Sequence, residues 1–460
     1  MLSNSLRALD HDHWIHPVIS WKGHEAAGVK VLRSGRGAFL TDGEGREHLD
    51  GFAGLWCVNV GYGQDSIVEV AAEQMRRLPY ATGYFHFGSE PAIRLSAKLA
   101  EIAPGDLSHS YFTLGGSDAV DSAIRLIRYY YNVTGRPQKK RFIALERGYH
   151  GSSSTGAGLT ALPAFHLNFD LPTVEQHHIP SPYPYRNPVG DDPEAIIAAS
   201  VAQLKAKVEE LGADTVAAFF CEPVQGSGGV VVPPKGWLKA MREAARELDI
   251  LFVADEVITG FGRTGPMFAC EAEGVVPDLM TMAKGLTSGY APMGAVMFGE
   301  KVYRGIADNA PAGAPVGHGY TYSGHPVSAA VALEVIRLYE EGGVLANGQA
   351  SGAHFERKLA KLADHPLVGD VRARGLVAGI ELVADKRTRA KFPKELRVAD
   401  HLARFGEENR VIFRAFADDV IGLAPALTLT TAEIDLLVSR IAKTLDDVLE
   451  LPEVRGALVA

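Results

Sequence analysis

Short apolar runs alternating with helix-like stretches mark the middle of the chain. Between residues 66 and 330, Ser110–Leu114, Phe142–Leu145, Thr215–Cys221, Leu251–Ala254, Leu279–Ala283 and Gly294–Phe298 each read as a strand. They lack strict apolar–polar alternation, which suits strands covered on both faces, as in a mostly parallel sheet. Asp118–Tyr131 reads as a helix, because Val120, Ile124, Ile127 and Tyr131 recur at three- and four-residue spacing and share one face. Ala202–Leu211 and Trp237–Leu248 are further helices between strands. The pattern predicts an α/β domain with a mostly parallel sheet flanked by helices.

The flanks differ. Residues 1–65 read as an N-terminal arm and a small-domain segment, in which Gly37–Gly45 is a strand entering a tight turn at Asp42-Gly43. Residues 66–330 form the large domain. Residues 331–460 predict a smaller α+β domain. It comprises a long helix, a strand over Gly375–Val383, a helix over Val398–Glu408, short strands at Val411–Phe413 and Val420–Leu423, and a last helix over Ala432–Leu449. The stretch His177–Asp192, rich in Pro and Tyr, reads as a long loop.

Composition narrows the classes of function. Forty-six Lys and Arg stand against 55 Asp and Glu, a formal charge of −9, so no electrostatic footprint favours nucleic acid or an anionic membrane as partner. Three cysteines, Cys57, Cys221 and Cys270, sit among apolar residues and read as small core side chains. No run of eighteen apolar residues occurs, so no helix is expected to span a bilayer. The N-terminal stretch lacks a basic segment followed by an apolar run, and the expected location is the cytoplasm. His11, His13 and His16 near the N-terminus and the pair His177-His178 offer no ligand spacing, so no metal site is expected.

Candidate chemistry gathers where apolar runs end. In open α/β sheets the ligand crevice lies outside the carboxyl ends of the strands. Asp255 follows Leu251–Ala254, Lys284 follows Leu279–Ala283, Glu222 follows Ala217–Cys221, and Gly115-Gly116-Ser117 follows Leu114. One reading makes Asp255 and Lys284 structural ion-pair partners, with one another or with other groups, since a buried charge is costly alone. The other is a pyridine cofactor: a lysine amine takes up its aldehyde, and a carboxylate keeps the ring nitrogen protonated so that the ring acts as an electron sink. A phosphate would then sit on the backbone N–H groups that open the helix after Gly116. Asp118 and Asp121 oppose an anion there unless they point away.

The motifs around these residues resemble those of the class III aminotransferases, pyridoxal 5'-phosphate enzymes of fold type I, and among them the omega-aminotransferases that use pyruvate. The resemblance spans nearly the whole chain. It is most specific in Leu251–Gly265, LFVADEVITGFGRTG, with Lys284 following Asp255 by 29 residues in Met282-Ala283-Lys284-Gly285-Leu286. Gly115–Val120, Gly148-Tyr149-His150-Gly151, Glu222–Gly226 and His318–Pro326 support it. The resemblance implies that Lys284 attaches the cofactor and later carries the substrate's proton. Asp255 would face the ring nitrogen, Tyr149 would stack on one face of the ring, and Val257 would pack on the other. Gly116 and Ser117 would hold the phosphate, joined by Thr321 from a neighbouring subunit, which makes a homodimer (or a tetramer built from it) necessary. Glu222 would orient the cofactor; Glu256 reads as structural.

The same resemblance makes Arg414 a carboxylate-gripping residue able to swing aside, and Trp56, Phe85 and Tyr149 the walls of the substrate pocket. From the residues alone, Arg414 reads first as a surface arginine ending an edge strand, and Trp56 could equally sit in a core segment with Leu55 and Cys57. The expected reaction moves an amino group from an amine or omega-amino acid to pyruvate in preference to 2-oxoglutarate. Arylalkylamines, β-alanine, taurine and diamines all remain open as donors. Racemases or aminomutases on the same scaffold are the nearest rivals. A nucleotide-binding oxidoreductase is the rival of another class, but the chain lacks the G-x-G-x-x-G fingerprint after its first strand.

Overall fold

The computed structural model describes residues 2–459. Seven strands make the central sheet: β1 (Leu107–Thr113), β2 (Arg141–Leu145), β3 (Gln176–Ile179), β4 (Val216–Cys221), β5 (Leu251–Asp255), β6 (Leu279–Met282) and β7 (Gly294–Gly299). Their order is β1-β7-β6-β5-β4-β2-β3, and all pairings are parallel except those of β7. The absence of alternation has a direct cause, visible in β4. Ala217 and Phe220 pack with the Gly116–Val133 helix on one side of the sheet, while Val216, Phe219 and Cys221 pack with Trp237, Leu238 and Met241 on the other. Every residue of β4 is buried, so no position selects a polar side chain. This is the fold type I architecture, a large α/β domain joined to a smaller one.

The smaller part holds an antiparallel sheet of β8 (Val368–Arg374), β9 (Val377–Leu382), β10 (Arg414–Phe416) and β11 (Val420–Leu423), in the order β8-β9-β11-β10. A further four-stranded sheet joins Leu32–Arg36, Phe39–Asp42 and Glu47–Asp50 to Val411–Ile412, bringing the two ends of the chain together. No described helix is long and apolar enough to cross a membrane.

Four expectations need correction. The single long helix after residue 330 is two, Pro326–Glu340 and Val344–Ala360. The break falls at Gly342-Gly343, where Gly343 adopts φ +73°, a left-handed conformation that favours glycine. Strand β8 is absent from the sequence reading because Asp370, Arg372 and Arg374 make it look polar; Gly375, read there as strand, is the β8–β9 turn at φ +61°. His177 and His178 lie on strand β3, not in a loop. His16 does find partners: its Nε2 and that of His24 lie 2.7 and 2.8 Å from the two oxygens of Asp10, which holds the N-terminal arm in a closed hydrogen-bonded cluster.

Candidate active site

The carboxyl ends of β1, β2, β4, β5 and β6 all open on one edge of the sheet, and the segments leaving them build the site. From β1 the chain passes through Gly115 into the Gly116–Val133 helix. A Cβ on Gly116 would lie 2.9 Å from Val257 Cγ1, so only glycine lets this turn approach the segment after β5. The loop after β2 closes on the same helix end, where the Ser152 N–H donates to Ser117 Oγ at 3.2 Å. Asp121 turns to the Gly156 N–H, which it accepts at 2.7 Å, while Asp118 stays on the first turn of the helix. The Gly116–Ser117 turn offers backbone donors and a hydroxyl beside it, the chemistry a phosphate requires.

Asp255 ends β5 and His150 follows β2, two strands away. His150 Nδ1 lies 2.8 Å from Asp255 Oδ2, and the Val257 N–H donates to Asp255 Oδ1 at 3.2 Å. Asp255 pairs with His150 and not with Lys284, so the two are not ion-pair partners of one another. Burial would push the His150 imidazole down, but the Asp255 hydrogen bond and charge, with that of Glu222, raise it above the ordinary value. His150 Nε2 is buried without a partner. Glu222 accepts the Tyr149 N–H at 2.9 Å and the Gly226 N–H at 2.9 Å. Desolvation, reinforced by Asp255, nevertheless pushes its carboxyl up to about 7 against the pull of His150 and those two donors. Glu256 turns elsewhere and caps the backbone of Ala269 and Cys270, a structural part.

Lys284 follows β6 at φ +42°, in the left-handed region. Among the described residues its amine joins no ion pair. Burial holds that amine below the ordinary lysine range, although Asp255 and Glu222 pull the other way. A lowered pKa favours the unprotonated amine, the form that attacks an aldehyde. Its backbone is pinned from beneath: Tyr339 Oη donates to the Gly285 carbonyl at 2.6 Å, and a Cβ on Gly285 would lie 2.7 Å from Asn59 Nδ2. Arg263, fully buried, donates to Asn59 Oδ1 at 2.6 Å and to the Leu376 carbonyl at 2.9 Å. Pyridoxal phosphate fits this set. Gly116 and Ser117 would take the phosphate, Tyr149 and Val257 would flank the ring, Asp255 would face its nitrogen with Glu222 near by, and Lys284 offers an amine without an ion pair among the described residues.

The residues expected around the substrate are more dispersed. Trp56 is 3% exposed, 4.7 Å from the Phe52 ring and 6.5 Å from that of Phe416. Arg414, exposed on β10, lies with its guanidinium 5.7 Å from the same Phe416 ring. Phe85 is 82% exposed, at φ +57°. Thr321 is exposed as well, and its carbonyl accepts from Tyr80 Oη at 3.0 Å. Neither Phe85 nor Thr321 touches the crevice through a hydrogen bond or ring contact among the described residues. His150 has no role assigned from the sequence, although it stands beside Tyr149 in the Gly148–Gly151 motif. Nor have Asn59, Arg263 and Tyr339, which support the Lys284 turn from 225, 21 and 55 positions away; Arg263 lies within the Leu251–Gly265 motif, the other two in none.

The family model described as Aminotransferase class-III matches residues 22–445. The putrescine–pyruvate aminotransferase of Pseudomonas aeruginosa is 40% identical over 444 residues, covering 96% of this chain and 95% of the relative. The diaminobutyrate–2-oxoglutarate transaminase of Halomonas elongata is 40% identical over 444 residues, covering 95% of this chain and 94% of the relative. A solved thermostable (S)-enantioselective omega-transaminase from Thermomicrobium roseum is similar at TM-score 0.94 and 40% identity, covering 97% of this chain and 99% of that one. With the matching crevice at the sheet edge, these likenesses establish that the chain belongs to the class-III aminotransferases, enzymes that work with pyridoxal phosphate.

Proposed function

We propose that the chain transfers an amino group from an amine or omega-amino acid to pyruvate, as a homodimer. The observation that carries this reading is the line Trp56–Phe416–Arg414: two buried aromatic rings that would form the pocket's apolar wall, with an exposed guanidinium beside them. An amine without an α-carboxylate needs the wall, and a keto acid needs the cation, which can grip a carboxylate with two parallel hydrogen bonds. One pocket can serve both only if the arginine is free to move. Arg414 meets that condition: it is exposed, and among the described residues no carboxylate holds it.

Bound pyridoxal phosphate supplies the electron sink and stores the amino group between the two half-reactions. The chain's own residues do the rest. The Gly116–Ser117 turn and helix end bind the phosphate. Tyr149 and Val257 would confine the ring between them. Asp255, steadied by His150, would keep a proton on the ring nitrogen. Lys284, whose amine is held below the ordinary range by burial, would take the substrate's proton and return it. Phe85 and Thr321, exposed in one subunit, would meet the site of the other.

The relatives divide over the acceptor, one named for pyruvate and the other for 2-oxoglutarate. A single cation at the wall suits the smaller, monocarboxylate acid. The test is a half-reaction experiment. The enzyme is converted with an amine donor, then returned to its starting absorbance with pyruvate or with 2-oxoglutarate at equal concentration. Pyruvate should restore it faster. Equal or faster recovery with 2-oxoglutarate overturns the acceptor reading, and a colourless protein that stays inert with added cofactor overturns the catalytic one. A panel of arylalkylamines, diamines, β-alanine and taurine in the same assay identifies the donor class.

A further inference from the structure

Arg147 is the point of departure. It lies between strand β2 and Tyr149 and adopts φ +63°, the left-handed region that an unbranched non-glycine side chain enters at a cost. Its guanidinium reaches two other segments at once. Nη1 donates to the Gly228 carbonyl at 3.2 Å and to Asp418 Oδ2 at 3.1 Å, and the group lies 5.3 Å from the Tyr183 ring. The backbones meet just as closely, since a Cβ on Gly228 would lie 2.3 Å from the Arg147 carbonyl oxygen.

Each of the three segments carries a residue of the site. Arg147 precedes Tyr149 by two positions. Gly228 follows Glu222 on the segment leaving β4. Asp418 lies in the turn of the β10–β11 hairpin, four residues after Arg414, where Arg414 pairs with Gly422 and Phe416 with Val420. The far side of that turn is tied to the small domain: Lys391 donates to the Asp418 carbonyl and lies 2.7 Å from Glu381. The tip of the hairpin bearing Arg414 is thus held at Asp418 from two sides, by Lys391 of its own domain and by Arg147 of the cofactor-binding domain.

We propose that Arg147 is a positioning residue that holds the Arg414 hairpin over the crevice through Asp418, and so sets how readily the site accepts a carboxylate. This rests on the reading of Arg414 as the carboxylate-gripping residue. An ion pair whose side chains are 38% and 39% exposed is weak by itself. Here it acts at the turn of a short hairpin, where a small energy suffices to change which position is populated.

The experiment compares Arg147→Gln, Asp418→Asn, the double variant and Arg147→Lys in the cofactor-loaded enzyme. Either single change should raise KM for pyruvate about three- to fivefold, the scale of an exposed ion pair. The double variant should add nothing further, and Arg147→Lys should recover part of the loss. Rate and KM for the amine half-reaction should stay within about twofold of the parent on the same scale. Amide hydrogen exchange over residues 414–420 should quicken in both singles, with and without cofactor. Unchanged exchange together with unchanged pyruvate KM overturns the proposal, as does an equal rise in KM for amine and keto acid. Arg414→Ala separates the two ideas. If it leaves pyruvate KM unaltered, Arg414 does not grip the acid and the specificity role falls with it. If it raises KM while the Arg147 and Asp418 variants do not, the clasp alone is refuted.

Discussion

The floor of the crevice and its rim are built in opposite ways. On the floor, His150, Asp255 and Glu222 are 1%, 3% and 4% exposed, and both Asp255 oxygens and both Glu222 oxygens are engaged. At the rim, Phe85 is 82% exposed, Thr321 and Arg414 are exposed, and the arginine's recorded partner is one aromatic ring. Strand ends fix the floor, because a backbone already committed to a sheet leaves its last side chain little freedom. Loops and a hairpin carry the rim. The chain preorganises by itself the part that handles the cofactor. The part proposed to choose the substrate is exposed and lightly held.

If that division is right, changes on the floor should abolish chemistry and changes at the rim should redirect it. The largest effect is expected from Lys284→Ala. Loss of the group that carries the proton should cost at least about 10⁴-fold in turnover. Borohydride should no longer fix cofactor to the peptide containing position 284, as read by mass spectrometry. Turnover above one part in a hundred would move the proton carrier elsewhere on the floor and blur the contrast with the rim.

Next in size comes the pair behind the ring nitrogen. Asp255→Asn keeps the shape of the side chain but removes the charge that holds the nitrogen's proton, and about 10³-fold should be lost from single-turnover rates. His150→Gln should cost about tenfold, because it acts only through Asp255 and leaves that carboxylate in place. In the double variant the cost should match Asp255→Asn alone, since groups acting as a unit are not additive. A double variant worse by the product of both would show that His150 has a separate task, for which its unpartnered Nε2 is the candidate atom.

The floor was also the legible part of the sequence. An apolar run ending in Asp255, and another ending just before Lys284, report a buried strand and the residue it delivers, with no tertiary knowledge needed. His150 was not legible in this way. Its meaning depends on β2 and β5 lying two places apart in the sheet, which brings together residues 105 positions apart. Strand β8 was hidden because its charges are paired: Arg372 pairs with Asp370 on the same strand and with Glu381 on β9, so a polar-looking segment is half-buried in the sheet. The clasp between Arg147 and Asp418 was invisible for the same reason, being a contact between domains that neither local pattern announces. At the rim, Trp56 and Arg414 drew their roles from resemblance alone, and their shared contact with Phe416 emerges only once the hairpin is folded.

The mildest effect should be one of pH, and it should be confined to the floor. Glu222 has its carboxyl raised from 4.5 to about 7, first by desolvation and then by Asp255. The folded chain therefore keeps a proton that the unfolded chain releases above pH 4.5. Stability from this group is complete below that point and is lost as pH rises through about 7, a difference of roughly 3 kcal/mol at most. His150, also raised, contributes with the same sign: its share is present below 6.5 and fades as pH passes its higher folded value. Urea midpoints of the cofactor-free protein should accordingly fall between pH 5 and 8. Glu222→Gln should lower stability at every pH, because an amide presents its NH₂ to one of the two backbone donors at Tyr149 and Gly226. It should also flatten the pH slope, leaving only the part due to His150. Arg414→Ala should leave the slope as it was. A slope that survives Glu222→Gln in full, or that changes with Arg414→Ala, would mean that burial does not divide floor from rim in the way the hydrogen bonds imply.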